Sequence, residues 1–197
     1  MLEALTGTGL AASAGLNAYI PLLVLGLLSR FTGAVTLPDG WQWLGNGWVL
    51  TILAVLLAIE VVADKVPLVD HVNDVVQTVV RPTAGGIVFG AGSSSQTATV
   101  TDPGTFFGSH QWIPVAAGVL IALAVHSVKA AARPVVNATT AGVGAPVAST
   151  AEDLSSIVMS LLAILVPILV LLGLVLLVAS AIWIFRRRRQ RRLSRVA

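Results

Sequence analysis

The sequence predicts an all-α protein, a polytopic bundle of transmembrane helices with short re-entrant or broken helical segments. Three observations carry this. The chain of 197 residues is 56% hydrophobic and 11% charged, against about a quarter charged in a soluble domain, and its mean hydropathy is +0.90. Apolar stretches recur at the roughly 20-residue length that a helix needs to cross a bilayer. Seven of its twelve Lys and Arg residues lie at or beyond Arg186, past the last apolar stretch.

Taken in order, residues 4–16 are small and weakly apolar (Gly7, Gly9, Ala11, Ala12, Ser13, Gly15), a composition that lets helices approach closely in a membrane. They lead into a first span near residues 10–30, broken near Gly15 and kinked at Pro21, with Arg30 at its end. The loop 31–47 mixes Pro38, Asp39 and Gly40 with Trp41 and Trp43, turn residues beside aromatics that favour the membrane interface. A second span near 48–64 ends in charge. Beyond Pro67, Asp70, Asp74, Gln77 and Arg81 fall on one face of a helix of about 3.6 residues per turn, with valines on the other. A short third span is expected near 76–92, then a polar linker over Ser93 to His110 and a fourth span near 112–132.

Residues 135–150 are small, uncharged and rich in helix breakers, which suits a re-entrant or unwound stretch. Ser149-x-x-Glu152 then reads as a capping box for a last span over 154–185, kinked at Pro167. Residues 49–92 and 113–185 run through the same order of segments, with Arg81-Pro82 matched by Arg133-Pro134, a weak internal repeat. One transmembrane domain, 1–185, and a basic tail, 186–197, complete the plan.

The formal charge of +3 comes from that tail: without it, five basic residues face nine acidic ones. The basicity is therefore a topology signal that puts the C-terminus in the cytoplasm and, with five spans, the N-terminus outside. It does not indicate a nucleic-acid partner. The absence of cysteine excludes disulfides, thiolate metal sites and thiol catalysis. Met1-Leu2-Glu3 lacks the basic start of a signal peptide, so the first helix is expected to remain in the mature protein.

Four ordered strings carry a family resemblance: Ala14 to Pro21 (AGLNAYIP), Glu60 to His71 (EVVADKVPLVDH), Gln77 to Pro82 (QTVVRP) and Ala138 to Pro146 (ATTAGVGAP). Together they resemble the bacterial membrane family known as domain of unknown function 4126, over about residues 5–175. The resemblance implies a bacterial inner-membrane protein and no activity. Glu60-x-x-x-Asp64-Lys65 is also similar, in part, to the Glu-x-Gly-Asp-Lys-Thr motif of membrane cation/proton exchangers. Here, however, the carboxylates are four apart, the glycine is missing and Pro67 replaces the hydroxyl, so the likeness is an analogy.

Ionisable groups in membrane segments cost about 2.5–3.5 kcal/mol each on insertion scales, so each needs a use or a partner. Glu60 and Asp64 form an acidic stripe at i and i+4, and His126, Lys129 and Arg133 a basic stripe at i, i+3 and i+7. Read structurally, the stripes are helix ends at headgroup level or a clamp between helices. Read functionally, they build a polar site with Lys65, Asp70, His71, Asp74 and Arg81, facing a cation or proton, while Asn17, Thr139 and Thr140 line a path. His71, His110 and His126 are too scattered for zinc, and the serines lack a base and orienter. No cofactor, metal or catalytic residue is therefore expected. The leading expectation is a transporter or channel for a small solute or cation, proton coupling included. A non-transporting scaffold or lipid-interacting protein is the alternative, and an enzyme ranks last. The expected partners are the bilayer, the small cation or solute, and a second copy of the chain.

Overall fold

The computed structural model describes residues 2–65, 67–93, 112–140 and 143–170, together with Leu172 and Val175; of residues 67–71 it describes the backbone. The helices are α1 (Leu2–Leu16), α2 (Tyr19–Phe31), a 3₁₀ helix (Asp39–Gly45), α3 (Gly47–Ala63), α4 (Pro67–Gly92), α5 (Trp112–Thr140) and α6 (Gly144–Leu165). No strand occurs among the described residues. The polar linker beyond Ser93, the end of the last span and the basic tail lie outside them.

The small residues near the N-terminus explain the centre of the bundle. Helix α1 packs against α4, α5 and α6, and its Gly15 lies where a Cβ would come within 2.6 Å of the Ala122 carbonyl. Helices α4 and α5 cross with Gly85 against Gly118, where a side chain on either would run into the other's backbone carbonyl. In a membrane, such contacts replace the hydrophobic drive that lipid removes. Apolar side chains also face outward: α3 exposes Trp48, Ile52, Val55, Ile59 and Val62 at helical spacing, a face suited to lipid.

Helices α5 and α6 are each long and apolar enough to cross a membrane, and the 3₁₀ helix with α3 makes a third candidate, bent by 62°. The first expected span is two helices, broken at Asn17 and Ala18. The Asn17 N–H donates to the Ser13 carbonyl at 3.0 Å, while its Oδ1 accepts from the N–H groups of Tyr19 (3.1 Å) and Ile20 (3.2 Å). One asparagine thus serves both the end of α1 and the start of α2. Pro21 does not kink a span. It sits in the first turn of α2, where a missing N–H costs no helical bond.

Three further expectations need correction. The amphipathic segment and the short third span are one helix, α4, which continues through Pro82. The stretch 135–150 is mostly helical: α5 runs through Pro134 to Thr140 and α6 begins at Gly144, because neighbouring helices compensate a lost bond more cheaply than lipid tolerates an unwound chain. Ser149 therefore lies inside α6 rather than at its N-cap, and its Oγ is buried with no partner among the described residues. At Pro167 the expected break does occur: α6 ends at Leu165 and helical residues resume at Ile168 to Val170.

A buried ion-pair network as candidate functional site

Four helices deliver charge to one place. Helix α3 ends with Glu60 in its last turn and Asp64 at its C-cap, one helical turn apart on the same face. Helix α4 contributes Arg81, α5 contributes His126, Lys129 and Arg133, and α6 contributes Glu152 and Asp153. Apolar residues between these positions, among them Val62, Val75, Val76, Val79 and Val128, are exposed on faces suited to lipid, which leaves the charges on the faces turned into the bundle. Arg81 is 0% exposed and Glu60 2%.

Asp64 is the hub. Its Oδ2 faces three cations: Arg133 at 3.0 Å, Lys129 at 3.4 Å and Arg81 at 3.7 Å. Its Oδ1 accepts from Asn73 Nδ2 at 2.7 Å. Glu152 Oε2 lies 2.9 Å from both Lys129 and Arg133, so these two cations are shared between α3 and α6. The ammonium of Lys129 also donates to the Leu16 carbonyl at 3.1 Å, the last residue of α1. That carbonyl lies at the break between α1 and α2, where the helix leaves an acceptor unused.

Glu60 differs from Asp64. Its Oε1 accepts from Arg81 Nη2 at 2.9 Å, but its Oε2 is buried with no hydrogen-bond partner among the described residues. The other end of Arg81 fixes the state of His126. Arg81 Nη1 lies 3.1 Å from His126 Nδ1, and since a guanidinium can only donate, Nδ1 must accept. The imidazole is then neutral with its proton on Nε2, which donates to Thr78 Oγ1 at 3.1 Å, and that hydroxyl donates onward to the Asp74 carbonyl at 2.9 Å.

At the rim, Asn17 Nδ2 donates to Asp153 Oδ1 at 2.9 Å and Lys65 lies 4.0 Å from Asp153 Oδ2. The side chains of Lys65 (38% exposed) and Glu152 (20%) bring the network to the surface here. Below the rim, Ser13 Oγ is 2.7 Å from both Ser156 Oγ and Ser160 Oγ, joining α1 to α6 through buried hydroxyls.

The structure thus brings together Glu60, Asp64, Lys65, Arg81, His126, Lys129, Arg133 and Asn17 from the sequence reading. Asp74 stands one turn before Thr78 on α4, with Oδ1 buried and without a partner among the described residues. The side chains of Asp70 and His71 lie outside the described residues. Thr139 and Thr140 do not line a path with Asn17. Both are exposed at the end of α5, their hydroxyls bonded back to the carbonyls of Val135 and Val136. Glu152, Asp153 and Asn73 were missed as site residues, although adjacent carboxylates at the head of an otherwise apolar helix are a signal in their own right.

Counted over the core of the network, Glu60, Asp64 and Glu152 oppose Arg81, Lys129 and Arg133, three against three. No group of three or more His, Cys, Asp or Glu side chains suited to a metal ion occurs among the described residues.

Fold and site together define an all-α helix bundle with, among the described residues, two to three helices fit to cross a membrane and a charge-balanced polar interior. The chain belongs to the family described as domain of unknown function (DUF4126), whose model matches residues 4–187. No curated protein and no solved structure matches the chain.

Proposed function

We propose that this is a multi-pass bacterial inner-membrane protein, its C-terminus in the cytoplasm, that moves a small solute or cation with a proton as coupling ion through its buried network. The observation that carries the reading is the sealing of Glu60, Asp64, Arg81, Lys129 and Arg133 inside the bundle. Buried ion pairs are weak stabilisers, and apolar residues of similar volume often serve stability as well or better. Charge inside a membrane bundle therefore points to use rather than to structure. The contact of Lys129 with the free carbonyl at the α1–α2 break adds a broken helix, a device from which transporters build substrate and ion sites.

The pairing also bears on the coupling ion. A net-neutral cluster attracts neither sign strongly, whereas a proton changes the charge of the site on arrival. The same neutrality favours the scaffold as a second reading, since mutually paired charges can clamp four helices without moving anything.

Reconstituted liposomes separate the two. With an internal pH-sensitive dye, an imposed pH, Na⁺ or K⁺ gradient should drive a flux in the parent that Glu60→Gln and Asp64→Asn abolish. Equal flux in all three would remove these carboxylates from the mechanism. No flux in the parent under any of these gradients would favour the scaffold.

A further inference from the structure

The two carboxylates of α3 stand one turn apart in opposite situations. Asp64 has donors or cations on both oxygens, so its ionised form is fully served. Glu60 has one cation on Oε1 and a sealed Oε2 with no donor among the described residues. Around it stand the Tyr19 phenol from α2, Gln77 and Arg81 from α4, Lys129 from α5 and Asp64 on its own helix. Gln77, 2% exposed and bonded through its side chain to Tyr19, also holds an Oε1 without a partner among the described residues. A buried acceptor left unsatisfied is costly.

In this arrangement the neighbours of Glu60 Oε2 do not supply a donor. Lys129 is turned to Leu16, Asp64 and Glu152, the Tyr19 phenol bonds with the Gln77 side chain, and Arg81 spends Nη2 on Glu60 Oε1 and Nη1 on His126 while its Nε is buried with no acceptor among the described residues. Arg81, in contrast, has somewhere to go: the nitrogen that is 2.9 Å from Glu60 Oε1 is 3.7 Å from Asp64 Oδ2. Neutralising Glu60 would release that nitrogen to an acceptor already beside it.

We propose that Glu60 is the residue of this network that takes up and releases a proton, on Oε2, and that Arg81 changes partner from Glu60 to Asp64 when it does. The proton comes from water and forms one O–H bond; Glu60 loses its negative charge and no other group changes protonation. Three cations then face two carboxylates, so the network gains one positive charge and Asp64 is drawn from Lys129 and Arg133 towards Arg81. Two helices, α3 and α4, thereby exchange ion pairs with α5 and α6, the bistable element that coupling requires. The inference deepens the transport reading and rests on it for its purpose, but proton uptake can be measured without any flux.

The test is infrared difference spectroscopy of the full chain in lipid nanodiscs, titrated from alkaline to acidic pH, following the C=O stretch of a protonated carboxylic acid. The parent should show a titrating band that is lost in Glu60→Gln, shifted in frequency in Glu60→Asp and retained in Asp74→Asn. A band that survives in Glu60→Gln, or that disappears in Asp74→Asn alone, would overturn the assignment, as would a parent with no titrating band. Glu60→Asp keeps a carboxyl and guards against a Glu60→Gln protein that fails to fold. A Glu60 band in protein that carries no flux would leave the proton site standing and remove transport.

Discussion

Arg81 and Glu60 meet at 2.9 Å with side chains 0% and 1% exposed, an ion pair between α4 and α3 sealed from the surface. Removing one partner leaves the other charge buried and unpaired, which costs about 3–5 kcal/mol, more than removing both. Arg81→Gln should therefore be strongly destabilised in detergent, and adding Glu60→Gln should recover part of the loss. A double-mutant cycle on thermal unfolding checks this. Additive losses would mean that the two side chains do not share an environment.

Asp64 gathers Arg81, Lys129 and Arg133 on one oxygen, so Asp64→Asn should destabilise more than Asp153→Asn, whose partner Lys65 is 4.0 Å away and partly exposed. Added salt should narrow the effect of Asp153→Asn and leave that of Asp64→Asn nearly unchanged, because screening acts weakly on buried pairs. Unfolding of both variants at low and high ionic strength is the measurement.

Helix crossing at Gly85 and Gly118 leaves no room for a side chain. Gly118→Val should push α4 from α5 and cost at least the ~1–3 kcal/mol typical of overpacking. Gly45→Val, at a position with open space around it, should be close to neutral in the same size-exclusion and unfolding assays.

Much of this was legible from residues alone, and the misses share a cause. Composition predicted the all-α bundle because lipid permits few other solutions for so apolar a chain. The stripes at Glu60/Asp64 and His126/Lys129/Arg133 were visible because helical spacing fixes a common face. What spacing cannot show is which faces meet. The spacing places Arg81 on the polar face of an amphipathic helix and in the polar site but does not show that this helix packs against α1 and α5, and Ser149 three residues before Glu152 reads as a capping box where Glu152 instead meets Lys129 and Arg133. Thr139 and Thr140 share the small, breaker-rich composition of an unwound stretch, but Pro134 sits within a helix whose neighbours tolerate it. Tertiary contacts decided each of these, and no local pattern encodes them.

Topology follows from the arginines. Reporter fusions after Phe31, Ser94 and Ala197 should place Ala197 in the cytoplasm, as the positive-inside rule requires for Arg186 to Arg195. With five crossings the N-terminus lies outside. A cytoplasmic N-terminus, with Ser94 and Ala197 on that same side, would reduce the count to four.

Transport through the network requires it to open to water during the cycle, and the cysteine-free chain allows that opening to be tested at one atom. In Gln77→Cys the new thiol is the sole one, at a position 2% exposed, one turn before Arg81 on α4 and against Tyr19, which also feels the charges of Glu60 and Arg81. Labelling in intact cells and in inverted vesicles with a charged, membrane-impermeant thiol reagent should proceed from one side at a rate that an imposed pH gradient changes. A Cys at Val55, on the lipid-facing side of α3, should stay unlabelled. A folded Gln77→Cys protein that resists the reagent from both sides under every gradient would contradict the claim and leave the network as a structural clamp.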